Sequence, residues 1–177
     1  MQNLRDVGLP ALYVHDDVLR HVSSLPHRLW EVGGWLLGYW AGAGTAIVVA
    51  HATPPGRRGT PFGVTVSADK HRPLFDSAYD ASNGYVTFLG DWHTHPGGPT
   101  RPSTKDTKAM KQLADESDYG TPLPLIAIAA VPRWPLSKRP VEIRWWLRLN
   151  DGVIAELAPR SILDMPDVAR FVAPMPW

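Results

Sequence analysis

The sequence predicts an α/β domain with a central sheet covered by helices, and three observations lead there. Strand-like and helix-like patterns are mixed along the chain instead of being segregated. Two stretches, 123–131 and 141–149, read as strong strands, and the first is almost wholly apolar. With 177 residues of which 44% are hydrophobic, the chain is large enough for one domain with its own core. The expectation is a single domain over 1–177, with a core at about 12–150 and a C-terminal tail at about 159–177.

Taken in order, Val18, Leu19, Val22 and Leu25 at roughly helical spacing predict a helix over 14–30, interrupted near Pro26. A strand over 33–40 follows, with a hairpin partner at 45–50. Prolines, glycines and Arg57-Arg58 make 53–61 a loop. The alternating run 62–66 reads as a strand, and Ser67 is placed to cap a helix over 68–81. The run 85–89, with β-branched and aromatic residues, predicts a central strand leading into His93 and His95. A helix is expected from Ser103 to about 117. The strands at 123–131 and 141–149 are joined by a proline-rich connection carrying Arg133, Lys138 and Arg139. An edge strand over 153–157 and a short helix with an irregular tail complete the reading.

Composition narrows the function. Charged residues are 20% of the chain and the net charge is +1, which supplies no concentrated basic face for nucleic acid or an anionic membrane. The chain has no cysteine, so a transition metal here must be held by His, Asp or Glu. The N-terminus has no charged-then-apolar leader pattern. The longest apolar run, 123–131, contains Pro124 and is too short to span a bilayer. The expectation is a soluble cytoplasmic protein. Of the eight tryptophans, Trp134, Trp145 and Trp146 are candidates for a contact surface as well as for core.

The richest stretch is Gly90-Asp91-Trp92-His93-Thr94-His95-Pro96, followed by Pro102-Ser103-Thr104-Lys105-Asp106. Side chains alternate along a strand, so His93 and His95 face the same side. Pro96 ends the ladder, and Gly97, Gly98, Pro99 and Pro102 turn the chain back. Asp106 then lies one helical turn past Ser103. Two imidazoles and one carboxylate leave the fourth position of a tetrahedral metal for water. Hydrolysis of an amide also needs a proton shuttle, and the best candidate is Glu31, in Trp30-Glu31-Val32-Gly33-Gly34-Trp35-Leu36-Leu37-Gly38. Ser103 would donate a hydrogen bond to the developing oxyanion. The Ser103-x-x-Asp106 pair is also a helix capping box, and the two roles are compatible at a helix N-terminus.

Glu31, His93-Thr94-His95-Pro96, Pro102-Ser103 and Asp106, in this order and spacing, resemble the signature of the JAMM metalloproteases, the metal-binding MPN (JAB) domains. Glu31 to Gly38 is similar to that family's glutamate–glycine–leucine–glycine segment, and Gly90-Asp91-Trp92 resembles its prokaryotic branch. The resemblance implies a cytidine-deaminase-like α/β/α sandwich with a central mixed sheet and one zinc ion per chain. His93, His95 and Asp106 would be the ligands, Glu31 the general base that later protonates the leaving amine, and Ser103 the stabiliser of the tetrahedral intermediate. Family members cut isopeptide or peptide bonds after the C-terminal glycines of ubiquitin or ubiquitin-like proteins. Some prokaryotic relatives sit in anti-phage operons beside E1- and E2-like enzymes, which would then be partners.

Two other readings compete. One is a non-catalytic MPN-type module that grips a ubiquitin-like tail, whose usual mark is loss of ligands. The other is a RadC-like, DNA-associated zinc protein, which typically carries Asn where this chain has Thr94 and adds a helical DNA-binding segment. His15, His21 and His27 are read as surface or partly buried, and so are His51 and His71, which have no evident partner. Asp91, Trp92 and Thr94 are assigned no metal role, and Arg57-Arg58 and Lys138-Arg139 are read as solvated loop charges.

Overall fold

A computed structural model describes residues 8–24, 29–55, 59–60, 68–116, 120–132 and 141–163. In chain order the elements are β1 (Ala11–His15), α1 (Asp16–Ser23), β2 (Gly33–Ala41), β3 (Ala46–Ala52), α2 (Ala68–Ala81), β4 (Thr87–Pro96), α3 (Thr104–Asp115), β5 (Leu125–Val131), β6 (Glu142–Arg148), β7 (Ile154–Leu157) and β8 (Pro159–Ile162). The strands form one mixed sheet in the order β7-β6-β5-β4-β2-β3-β1-β8. Parallel pairs are β1–β3, β1–β8 and β4–β5, and the other neighbours are antiparallel.

The sheet is rolled. β7 and β8 stand at opposite ends of the strand order, yet only Ala158 separates them in the chain. A residue spans at most about 3.6 Å of extended chain, so the two ends of the sheet must meet. The concave face is apolar: Leu12 and Val14 of β1, Leu36 of β2, Trp92 of β4, Trp145 of β6 and Leu157 of β7 belong to one buried cluster. α1 lies against this face through Val18 and Val22. α2 and α3 cover the convex face. Phe75 and Ala78 of α2 and Leu113 of α3 pack on Trp35 and Phe88, while Met110 of α3 packs on Ile126, Ile128 and Trp146. Helices on both sides of a mixed sheet agree with the α/β expectation.

Several boundaries move. The helix expected from residue 14 starts at Asp16, because Ala11–His15 is a strand parallel to β3 with Leu12 and Val14 buried on alternate positions. His15 caps the helix by accepting a hydrogen bond from the Asp17 amide at its Nδ1. β4 continues unbroken through both histidines to Pro96. Residues 159–162, read from the sequence as the start of the C-terminal tail, are a strand; Pro159 lacks an N–H and takes the first place in an end strand, where none is required. Trp145 and Trp146 are both buried and offer no contact surface. His71 is buried and bonded to Thr53, and the ring of His21 meets Trp92 edge-on. The readings at 62–66, Pro26, His27, Arg57-Arg58, Ser67, Arg133, Trp134, Lys138, Arg139 and the tail beyond residue 163 lie outside the described residues. Among the described residues no helix is long and apolar enough to cross a membrane.

Candidate metal centre

The site is assembled on β4, which lies in the middle of the sheet between β2 and β5. Strand alternation sends Trp92 and Thr94 to the concave side and Asp91, His93 and His95 to the convex side under α3. Beyond Pro96 the chain reverses through a turn that is anchored three times. The Gly97 amide donates to the Val131 carbonyl at 2.8 Å. His95 Nδ1 lies 2.7 Å from the Pro99 carbonyl, and Trp146 Nε1 donates to the Thr100 carbonyl at 2.8 Å. Gly97 has a φ of 68°, a left-handed turn conformation that glycine adopts without strain. The turn delivers Ser103 as the N-cap of α3, with Asp106 at the third helical position.

Ser103 and Asp106 form a reciprocal capping box. The Ser103 amide donates to Asp106 Oδ2 at 2.6 Å, and the Asp106 amide donates to Ser103 Oγ at 3.3 Å. The same carboxylate faces the histidines: His93 Nε2 lies 3.4 Å from Asp106 Oδ1, and His95 Nε2 lies 3.5 Å from Oδ2. The two Nε2 atoms are 2.9 Å apart. Ligands about 2.0–2.1 Å from a tetrahedral zinc ion stand about 3.3 Å from one another, so this spacing fits such an ion. Among the described residues these three form the group able to hold a metal.

The protonation states fit as well. A carbonyl only accepts, so His95 Nδ1–H donates to Pro99, which leaves the Nε2 lone pair turned to the site. Burial pushes His93 down to about 4, against the opposing pull of Asp106, and so keeps its imidazole neutral. Burial alone would lower His95 too, but its bonds to Asp106 and Pro99 outweigh this and raise it. Burial would raise Asp106, yet the bond with His95, the electrostatic pull of the His93 ring and the bonds with Ser103 hold it well below the usual carboxylate range.

Glu31 reaches the site from the segment that leads into β2. β2 and β4 are antiparallel with Gly33 opposite His93, and the register carried on puts Val32 opposite Thr94 and Glu31 opposite His95. The bond from the Thr94 amide to the Val32 carbonyl, at 2.9 Å, continues that pairing. Cross-strand partners share a face, so Glu31 is on the metal side, and its charge helps to raise His95. Gly33 puts no side chain beside His93. On its other flank Glu31 donates from its amide to the Thr60 carbonyl at 3.1 Å and accepts from the Gly59 amide at 2.8 Å.

Two residues set aside from the sequence gain importance here. Asp91 is two positions before His93 and therefore on the same face. Its Oδ1 is buried with no hydrogen-bond partner among the described residues, and burial pushes its carboxyl up to about 7. Thr94 is fully buried, and its hydroxyl bonds the chain next to Glu31. Period-two counting from His93 gives Asp91; nothing in sequence spacing gives the Thr94 contact.

A His-His-Asp group able to hold a metal, with its histidines on the central strand of a rolled α/β sheet and its aspartate on α3, defines the class, and sequence comparison supplies the family. The pattern described as prokaryotic homologues of the JAB domain matches residues 17–148. The chain belongs to this family, a prokaryotic branch of the JAB/JAMM proteins. It is similar to a CD-NTase/cGAS isopeptidase of Enterobacter hormaechei, 36% identical over 55% of this chain and 54% of that protein. A probable metalloprotease y4qB of Sinorhizobium fredii is 28% identical over 55% of this chain and 61% of that one. A CD-NTase/cGAS isopeptidase of Escherichia coli is 32% identical over 45% and 51%. The chain thus spans about half the length of the curated relatives it matches. A solution structure of a Desulfitobacterium hafniense protein shares the fold, with a TM-score of 0.52, 20% identity, and coverage of 87% of this chain and 94% of that one.

Proposed function

We propose that this protein is a zinc-dependent isopeptidase or peptidase that hydrolyses the bond after the C-terminal glycine of a ubiquitin-like protein. The observation that carries the reading is the convergence of His93, His95 and Asp106 with Glu31 opposite His95. His93, His95 and Asp106 would hold one zinc ion, which when bound would supply an acidified water and polarise the scissile carbonyl. Glu31 takes a proton from the attacking water and returns it to the departing amine. Ser103 Oγ accepts from the Asp106 amide, which leaves its O–H free to donate to the oxygen that gains charge during attack. Pro99 and the capping box keep His95 and Asp106 in their ligating orientations.

The isopeptidase name of the relatives supports a branched conjugate as substrate, with a CD-NTase- or cGAS-type protein as the first target to try. The test is to incubate the zinc-loaded protein with C-terminal fusions and conjugates of ubiquitin-like proteins and to map the cut by mass spectrometry. Cleavage directly after the terminal glycine is expected, with Glu31→Gln inactive though still holding zinc. Undiminished cleavage by Glu31→Gln or by metal-stripped protein would overturn the reading. Tail binding that survives His93→Ala, with no cut in any fusion, would point to a binding module instead.

A further inference from the structure

We infer that Thr94, the residue between the two histidines, is a positioning residue for Glu31: its hydroxyl sets the path of the β2 backbone where that strand delivers the glutamate to the metal face. This rests on the reading of Glu31 as the general base.

An antiparallel pair of this kind normally exchanges two backbone bonds between facing residues. Val32 and Thr94 make one of them, from the Thr94 amide to the Val32 carbonyl at 2.9 Å. The return bond is different. The Val32 amide donates to Thr94 Oγ1 at 3.1 Å, so a side-chain hydroxyl stands where the ladder would use a carbonyl. The regular β2 ladder begins one residue later, at Gly33. Val32 therefore stays opposite Thr94 but is held there by one ladder bond and one hydroxyl bond, and Glu31 is the next residue along.

Thr94 is suited to this and to nothing else visible at the site. It is 0% exposed and points to the concave side, away from the ligands. A buried amide left without an acceptor is costly, so a hydroxyl-free residue here forces the Val32 amide to find another partner. The nearest chemical alternative is the Thr94 carbonyl, and taking it shifts residues 31 and 32 towards the regular ladder. A second buried threonine holds the same strand three residues on, where Thr53 Oγ1 accepts from the Trp35 amide at 2.8 Å. With the strand pinned at Trp35, a shift at Val32 falls on Glu31 and not on the sheet behind it.

The experiment compares Thr94→Val, nearly isosteric but lacking the hydroxyl, with Thr94→Ser, which keeps it. Each full-length variant is measured for kcat and KM on a cleavable tail fusion, for zinc affinity by chelator competition, and for hydrogen exchange at the Val32 amide. Thr94→Val is expected to lose about ten- to a hundredfold in kcat, since misplacing a catalytic group by about an ångström costs up to this much. KM and zinc affinity should stay within about twofold, and Val32 exchange should quicken. Thr94→Ser should restore kcat and Val32 protection. Thr94→Ala, lacking the same hydroxyl, is read in the same way if the valine variant does not fold. Wild-type kcat in the valine variant, loss of zinc in place of kcat, or a serine variant no better than valine would each overturn the inference. An inactive wild-type protein would instead overturn the proposed function on which it rests.

Discussion

The two arms of the site are built by different means. His93, His95 and Asp106 belong to one continuous stretch, and their geometry is fixed locally by the Pro99 carbonyl and the Ser103–Asp106 capping box. Glu31 comes from a strand whose contacts with β4 bridge 62 positions of sequence, as between Val32 and Thr94. The metal arm is thus a short-range construction. The arm that carries Glu31, the proposed base, depends on the register of the whole sheet, so disturbance of the fold should cost turnover before it costs metal.

The largest test of this contrast sets a proposed ligand against the proposed base. His93→Ala should lower zinc affinity by more than the roughly 10–100-fold typical of losing an outer partner of a ligand. Glu31→Gln should leave affinity nearly unchanged while kcat falls about 10²–10⁴-fold. Parallel chelator titrations and turnover assays check both; equal loss of zinc in the two variants would erase the distinction. Gly34→Ala comes next. A Cβ there would lie 2.5 Å from the Thr53 carbonyl oxygen and 2.7 Å from Trp92 Nε1. Such overpacking costs about 1–3 kcal/mol, read in a denaturant melt, and turnover should fall further than zinc affinity because the strand bearing Glu31 moves.

The smaller effects are pH-dependent. A proton competes with metal at His95, whose bonds to Asp106 and Pro99 raise it above its ordinary value despite burial. Zinc affinity should therefore weaken as pH falls through that raised value, and less steeply in a variant that lacks the Asp106 carboxylate. Asp91 acts on stability alone. Burial raises it to about 7 in the folded protein, against about 3.9 unfolded. The folded state thus binds the proton more tightly, and the favourable contribution, complete below about pH 4, is lost as pH rises to about 7. Asp91→Asn should flatten this slope in thermal melts at stepped pH without changing metal content.

Much of this was legible in the sequence, for reasons that follow the same division. Alternation put His93 and His95 on one face, and the Ser103-x-x-Asp106 spacing is a local rule that holds whatever surrounds it. α2 over Ala68–Ala81 agrees with the helix read over 68–81. β1 was not legible, because five residues bearing two buried side chains give too little alternation to separate from the helix that follows. β8 was missed because its proline content reads as irregular chain, and only its pairing with β1 makes it a strand. The bond of Thr94 to the Val32 amide was beyond reach, since a β-branched residue in a strand ordinarily packs and does not bond the neighbouring backbone.

The passage of the chain from β7 to β8 has a consequence for assembly. β1 is paired on one side by β3 and on the other by β8, whose residues come more than a hundred positions later, as in the pairing of Leu12 with Pro159. Until Pro159–Ile162 emerges, that side of β1 presents bare backbone amides and carbonyls, an invitation to pair with other chains. Closing the roll is a contact of very high sequence separation, which folds late and slowly. During synthesis, then, the metal-binding stretch can take its shape while the molecule is still open along one seam, and that seam is sealed by some of the last described residues.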